Sequence, residues 1–192
     1  MSYGGDEGAQ IGFSTARGRD WPTVRQFNVF LENRLGALLN VVRRFETTDV
    51  RIVSLTVVDS ADCAIIRMVL SDPERASEIF HESGLPITES ELLVVQLPNG
   101  NHPLLQICKA LLAAEISIHY AYPLLAGPQG ERALALHVED VETAAGYLKQ
   151  QGFVLFSESD LGYSAGLAAT RSPRSGARES SSRSAPRSPL RG

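Results

Sequence analysis

Apolar residues follow two different periods along the middle of the chain. Residues 24–31 alternate apolar and polar side chains, which predicts a half-exposed strand. Residues 37–45 repeat apolar side chains at the spacing of one helix face, so they predict a helix directly after the strand. Two β-rich runs, 51–59 and 62–70, come next, and the short polar turn between them predicts a hairpin.

A second helix and a last strand complete this unit. Asp72 is a candidate N-cap, Pro73 suits the first position of a helix, and Gly84 is a stop signal, so a helix is predicted between them. Residues 90–97 predict the closing strand. The predicted order of elements is β-α-β-β-α-β.

The same order of elements recurs further along the chain at a nearly fixed offset. Matching residues lie 66 positions apart, and 68 near the end of the unit; the pairs are Leu31 and Leu97, Asn33 and Asn99, Leu38 and Leu104, Ile52 and Ile118, and Gly84 and Gly152. The change of offset predicts a longer loop in the second copy, at residues 126–130. The chain is therefore predicted to contain two copies of one unit.

The repeat divides the chain into four predicted parts. Residues 1–22 form a disordered N-terminal segment, 23–90 the first repeat, 91–160 the second repeat and 161–192 a disordered tail. The tail is rich in Ser, Arg and Pro, and it has too few apolar side chains to compensate for the entropy of ordering.

A βαββαβ unit predicts an α+β fold of the ferredoxin-like type. Its sheet is antiparallel and both helices lie on one face, because each crossover connection is right-handed. The other face carries mixed side chains, such as Tyr120 and Tyr122 in the second copy. We therefore expect the two sheets to pair edge to edge and two chains to pack face to face as a homodimer.

Charge separates an acidic body from a basic tail. The net charge is −4, but residues 170–192 contain six arginines and one glutamate, so this stretch carries +5 and the rest of the chain −9. An acidic body argues against a nucleic-acid surface on the folded part. The tail could attract RNA or an acidic partner, although a solvated tail without a partner explains the same composition.

The lengths of the apolar runs and the positions of the cysteines indicate the cellular compartment. No run approaches the roughly 20 residues of a membrane-spanning helix, and the N-terminus lacks the blocks of a secretory signal. Cys63 and Cys108 lie within apolar segments and outside any CxxC motif, so we predict small buried side chains and leave their pairing open. A soluble, cytoplasmic protein without membrane contact is expected.

The connection between the first strand and the first helix is the best candidate for a binding site. A strand that enters a helix through Gly36 presents backbone N–H groups at the positive end of the helix, which suits a carboxylate. Asn33 can donate and accept hydrogen bonds to an amino acid, or it can cap the turn. Gly36 can equally be a turn residue alone.

Residues 30–42, which read FLENRLGALLNVV, resemble the opening of ACT domains, a family of regulatory amino-acid-binding modules. The typical family sequence after the first strand is Asn-Arg-Pro-Gly-x-Leu, and here Leu35 stands at the proline. The resemblance extends through residues 49–52, the βαββαβ order and the duplication. It is strongest to stand-alone proteins made of two ACT repeats.

The resemblance implies a non-enzymatic sensor that needs no cofactor. Such a protein binds an amino-acid-type ligand between its repeats, and the ligand shifts their mutual arrangement, which an unidentified enzyme partner reads. The predicted ligand contacts are Glu32, Asn33, Arg34, Leu35, Gly36, Ala37, Leu38 and, from the second copy, Asn99.

The second copy departs from the first at the same connection. The constant offset aligns His102 with Gly36 and Pro103 with Ala37, so a side chain stands where the first copy has bare backbone. We predict that the second connection binds weakly or is only structural.

Catalytic and metal motifs are not found in the sequence. No nucleophile turn, P-loop or Rossmann fingerprint occurs, and no catalytic or metal site is predicted. His119 and His137 fall on strands predicted to be neighbours, but the sequence offers no third ligand to complete a metal site with them. The alternatives to a sensor are an enzyme of the acylphosphatase type, which shares this fold, and RNA association through the tail.

Overall fold

The computed structural model of the chain describes residues 22–59 and 63–163. Its strands are β1 (Val24–Glu32), β2 (Ile52–Asp59), β3 (Cys63–Leu70), β4 (Ile87–Gln96), β5 (Ile118–Pro123), β6 (Ala133–Val138) and β7 (Leu155–Phe156). Its α-helices are α1 (Ala37–Val42), α2 (Pro73–Glu82), α3 (Pro103–Ala113), α4 (Val141–Gln150) and α5 (Glu158–Tyr163). The α+β fold class and the predicted βαββαβ order of both repeats are confirmed.

One antiparallel sheet in the order β2-β3-β1-β4-β6-β5, with β7 on β4, joins the two repeats. The predicted edge-to-edge pairing is therefore present, and β4 provides it. Residues 87–92 of this strand pair with β1, whereas residues 93–96 pair with β6. The boundary predicted between residues 90 and 91 falls inside β4, which both repeats share.

Matching caps begin the longest helix of the first repeat and its counterpart in the second. Asp72 Oδ1 accepts a hydrogen bond from the Arg75 backbone N–H at 3.2 Å, and Asp140 Oδ1 accepts one from Thr143 at 3.0 Å. The two N–H groups would otherwise lack partners at the start of α2 and α4. The backbone and side-chain hydrogen bonds from Thr143 lower the pKa of Asp140 below its ordinary value.

Each repeat buries its helices against one face of the sheet. In the first repeat Phe80 of α2 contacts Phe27 and Phe45, with ring centroids 5.3 and 5.4 Å apart. In the second repeat Leu111 and Leu148 occupy the same layer and are fully buried. This burial of apolar area stabilises both helix layers.

The other face of the sheet forms a third core because the sheet curls until β2 and β5 meet. Leu125 N–H donates to the Val53 carbonyl at 2.9 Å, and Ser54 Oγ donates to the Pro123 carbonyl at 2.6 Å. The buried residues of this core are Val24, Val53, Val69, Leu92, Val94, Tyr122, Ala133, Ala135 and Leu161. The chain itself thus covers part of the face for which a second chain was predicted.

A buried amide links the repeats across this third core. Gln26 is fully buried, and its Nε2 lies 2.9 Å from Ser90 Oγ and 2.8 Å from the Tyr120 hydroxyl. The Tyr122 hydroxyl donates to Gln26 Oε1 at 2.5 Å. Burial raises the pKa of Tyr122, so this hydroxyl stays protonated and remains a donor.

Helix α5 lies partly within the tail that was predicted to be disordered from residue 161. Leu161 is buried in the third core, and Arg51 Nη2 donates to its carbonyl at 3.0 Å. Order therefore continues to residue 163 at the backbone. The rest of the predicted disordered segments, 1–21 and 164–192, lies outside the described residues.

The two cysteines are exposed and unpaired, so the prediction of buried side chains was wrong. Cys63 is the first residue of β3, opposite Glu32 at the end of β1, where the sheet ends. Cys108 follows the buried Ile107, and one step around a helix turns it away from the core. No helix within the described residues is long and apolar enough to cross a membrane.

Candidate functional site

The connection between β1 and α1 is a tight turn that requires glycine for its backbone conformation. Gly36 precedes α1 with φ at 85°, in the left-handed region. A Cβ there would meet no atom within 4 Å, so the conformation rather than space disfavours other residues. The Ala37 N–H already donates to the Arg34 carbonyl at 3.1 Å. One of the amides expected to bind a ligand is therefore used by the turn itself.

Asn33 ties this turn to the end of β2. Its Nδ2 donates to Asp59 Oδ1 at 2.7 Å in an exposed position. This hydrogen bond links the turn between β1 and α1 to β2, the strand that also contacts the second repeat.

A groove of about 730 Å³ lies between this connection and the β2–β3 hairpin, and we call it the leucine cleft. Six of the eight predicted contacts line it, and these are Asn33, Arg34, Leu35, Gly36, Ala37 and Leu38. The remaining walls are Leu31, Leu39, Val42, Val57, Ala64 and Ile66. Leu35 is fully exposed, and Leu38, Leu39 and Val57 are 40 to 51% exposed, so the walls present apolar surface to solvent.

A second cleft, of about 520 Å³, lies on the other side of the same connection, and we call it the arginine cleft. Its walls are Leu31, Glu32, Arg34, Ala37, Asn40, Val41, Arg43, Arg44 and Leu85. Glu32 belongs to this cleft and not to the leucine cleft. Arg34 lines both, and its Nη1 lies 3.7 Å from Glu32 Oε2.

Asn99, the eighth predicted contact, lies apart from the other seven. It lines a cleft of about 280 Å³ in the second repeat, next to Leu97, Gln106 and Phe153. These residues are the repeat counterparts of Leu31, Asn40 and Leu85 in the arginine cleft. The small cleft is therefore the second copy of the arginine cleft, and His102 precedes α3 as Gly36 precedes α1.

The family model of the ACT domain pair matches residues 22–162 of the chain. The chain belongs to the ACT domain pair family. ACT domains are regulatory modules that bind small molecules. The matched range covers both repeats and all eight predicted contacts.

Solved structures are also similar to this chain. Protein BT0572 from Bacteroides thetaiotaomicron shares the fold, at 22% identity and a TM-score of 0.67, and the match covers 73% of this chain and 96% of that one. A weaker likeness is to the ligand-free regulatory subunit of aspartate kinase from Thermus thermophilus, at 11% identity and a TM-score of 0.47, which covers 66% and 91%. No curated protein matches the sequence.

In this ACT pair the first-repeat connection does not lie between the repeats, where the ligand was predicted. Every residue that lines the leucine and arginine clefts falls between positions 31 and 85. The reason is the direction of β1, whose first residue, Val24, pairs with Leu92 next to the second repeat. The connection follows the opposite end of β1 and so points away from that repeat.

His119 and His137 of this ACT domain pair are in contact, but no third metal-ligating side chain joins them among the described residues. His119 Nδ1 and His137 Nδ1 are 3.1 Å apart, because a bulge in β5 turns His119 toward β6. The Arg67 guanidinium carbon lies 3.9 Å from the centre of the Tyr120 ring, and the His137 ring stacks on Tyr120 with ring centroids 4.7 Å apart. Among residues 22–59 and 63–163 no three His, Cys, Asp or Glu side chains form a group that could hold a metal ion.

Proposed function

We propose that this ACT domain pair is a non-enzymatic regulator that binds a small amino-acid-type ligand in the leucine cleft. The observation that carries the proposal is the convergence of six predicted contacts on one groove of about 730 Å³. Small-molecule sites are mostly apolar clefts of this size with a few polar groups. Membership of a regulatory, ligand-binding family supports the same role.

The composition of the leucine cleft favours an apolar amino acid. Leu35, Leu38 and Val57 offer exposed apolar surface to the ligand side chain. The Arg34 guanidinium can take the α-carboxylate with two parallel hydrogen bonds. An acidic side chain would have to leave water for an apolar wall, which is unfavourable without a partner. We expect aliphatic and aromatic amino acids to bind more tightly than aspartate or glutamate.

A physical connection leads from the leucine cleft to the second repeat. Asn33 holds the wall of the cleft to Asp59 at one end of β2. The other end of β2 meets β5 through the hydrogen bond from Ser54 to Pro123. A ligand that favours one position of the wall would therefore favour one position of β2 against the second repeat. The homodimer, the cytoplasmic location and the unidentified partner enzyme are further parts of this proposal.

The direct test is thermal unfolding of the full chain with each common amino acid. A ligand at 100 times its dissociation constant adds about 2.7 kcal/mol to the free energy of unfolding. For a protein of this size, the midpoint should rise by roughly 5 to 10 °C. No rise with any amino acid, at concentrations up to solubility, would contradict the proposal.

Val57 and Val58 offer a matched pair of variants for locating the site. They are adjacent in β2 and 43% and 40% exposed, but only Val57 lines the leucine cleft. We expect Val57→Glu to remove the rise in midpoint that the ligand produces and Val58→Glu to retain it. Equal losses in the two variants would assign the ligand to another site.

A further inference from the structure

The arginine cleft concentrates positive charge on an acidic protein. Arg34, Arg43 and Arg44 all line it, whereas the chain outside residues 170–192 carries a net charge of −9. Arg43 and Arg44 form no ion pair with any residue of the described segments. Arg34 has only the long, exposed contact to Glu32 at 3.7 Å. The three guanidinium groups are therefore available to an anion from solvent.

The floor of the arginine cleft is apolar. Val41 is buried at the bottom of the cleft, and Leu31, Ala37 and Leu85 are half-buried around it. The volume of about 520 Å³ falls within the range of small-molecule sites. A ligand that fits both parts has a strongly anionic group and a flat or apolar group attached to it.

The second repeat provides an internal control for this composition. At its counterpart, Gln106 replaces Asn40, and the cleft of about 280 Å³ is lined by no charged side chain. The offset aligns Lys109 and Ala110 with Arg43 and Arg44, and neither residue lines the small cleft. The shared backbone of the two repeats therefore does not require arginines here.

We infer that the arginine cleft is a binding site for a phosphorylated small molecule, most simply one with two linked phosphates on an aromatic or apolar group. Arginine binds phosphate oxygens through paired, charge-assisted hydrogen bonds, and several arginines match several phosphate charges. Asn40 adds an amide that can donate to a phosphate or to the attached group. This site is separate from the leucine cleft, although Leu31, Arg34 and Ala37 line both.

The test is calorimetric titration of the full chain with three probes in low-salt buffer. ADP carries both a diphosphate and an aromatic base. Inorganic pyrophosphate carries only the anionic group, and adenosine carries only the aromatic group. We expect ADP to bind most tightly, pyrophosphate more weakly and adenosine at least tenfold more weakly than ADP. Because exposed charges are screened by salt, ADP binding should weaken several-fold between about 50 and 200 mM NaCl.

Two double variants remove the same charge from different places. Arg43→Gln/Arg44→Gln removes two guanidiniums from the cleft, and Arg183→Gln/Arg187→Gln removes two from the basic tail. Each charge-assisted hydrogen bond contributes about a factor of ten or more, so the cleft variant should bind ADP roughly 100-fold more weakly and the tail variant within about twofold of the parent. If the cleft variant does not fold, Arg44→Gln alone should lose about tenfold.

Three results would overturn the inference. The first is no binding of ADP or pyrophosphate to the parent protein at millimolar concentration. The second is equal weakening in the cleft and tail variants, which would mean nonspecific attraction. The third is equal affinity for ADP and pyrophosphate, which would remove the role of the apolar floor. None of these results depends on whether an amino acid binds in the leucine cleft, so the two proposals can fail separately.

Discussion

The two repeats share a scaffold and differ at the entry to their first helices. The bulge at Val53 and the bulge at His119 lie 66 residues apart, as the sequence repeat requires. At the helix entries, by contrast, Gly36 has φ at 85° and His102 has φ at −136°. Two large clefts lie beside this entry in the first repeat, and a small cleft lies beside it in the second. The repeats thus differ in the backbone of the helix entry and in the clefts beside it, whereas the bulges of their strands match.

The largest expected effect tests whether the helix layers of the two repeats are equally important. Phe80 and Leu148 occupy equivalent, fully buried positions, but Phe80 also contacts two aromatic rings. We expect Phe80→Ala to lower the free energy of unfolding by about 3–5 kcal/mol and Leu148→Ala by about 2–5 kcal/mol. Because β4 belongs to both repeats, denaturant unfolding should remain a single transition in both variants. Two separated transitions in either variant would show that the repeats unfold independently.

The next effect concerns a buried polar side chain that the first repeat has and the second repeat replaces with an apolar one. Gln26 aligns with Leu92 at the offset of 66, so a buried amide in the first repeat corresponds to a buried leucine in the second. Tyr122→Phe removes the donor to Gln26 Oε1 and leaves that oxygen buried. We expect a loss of about 1–3 kcal/mol in chemical denaturation. A variant as stable as the parent would mean that water replaces the hydroxyl.

A smaller effect separates the two helix entries. Gly36→Ala forces a side chain into the left-handed region and should cost about 1–2 kcal/mol, whereas His102 has a negative φ, so His102→Gly should cost less than about 1 kcal/mol. Thermal midpoints measure both. If the second connection is only structural, His102→Gly should also leave amino-acid binding unchanged. Equal losses of affinity in Gly36→Ala and His102→Gly would contradict the asymmetry between the repeats.

The smallest effect is a dependence on pH at the histidine pair of the second repeat, where valine stands at the first-repeat counterpart of His119. Burial lowers the pKa of His137 below its ordinary value of 6.5, and His119 and Arg67 lower it further. The unfolded chain therefore binds this proton more readily than the folded chain. The contribution of neutral His137 to stability is complete above pH 6.5, the pKa of the unfolded chain. It is lost as the pH falls through the lower pKa that His137 has in the folded chain.

The variant His137→Phe isolates this contribution. It retains a ring against Tyr120 but cannot titrate. We expect the free energy of unfolding to change less between about pH 7 and 5 in this variant than in the parent. A parallel decrease in both proteins would assign the acid sensitivity to other groups.

Local rules predicted the parts of the fold that depend on neighbouring residues. Asp72 caps α2 and Gly84 follows it with positive φ, as predicted, and the second repeat has the same arrangement in Asp140 and Gly152 at α4. The strand periods and the duplication likewise needed only the sequence. The caps and strand periods are short-range features, because each is decided within one turn or one strand, and the duplication is visible as a repeat of those local patterns.

Features that depend on distant parts of the chain could not be predicted in this way. The sharing of β4 and the contact between β2 and β5 arise from the pairing and curl of the whole sheet. Helix α5 has six residues and no clear apolar period, so periodicity did not indicate it, and its local signal was the pair Ser157 and Asp160, whose Oδ2 accepts from the Ser157 N–H at 2.7 Å. The arginine cleft was missed because Arg43 and Arg44 lie seven or more residues beyond the motif at Gly36. Clustered basic residues at the end of the first helix were the available signal.

The shared strand has a practical consequence for anyone who wishes to divide this protein. A cut after residue 90 would take the second half of β4 from one fragment and the first half from the other. Each piece would then expose the backbone of a central strand and would tend to aggregate. A workable single-repeat fragment must therefore carry its own copy of residues 87–96, which makes overlapping fragments, and not adjacent ones, the sensible units for cloning.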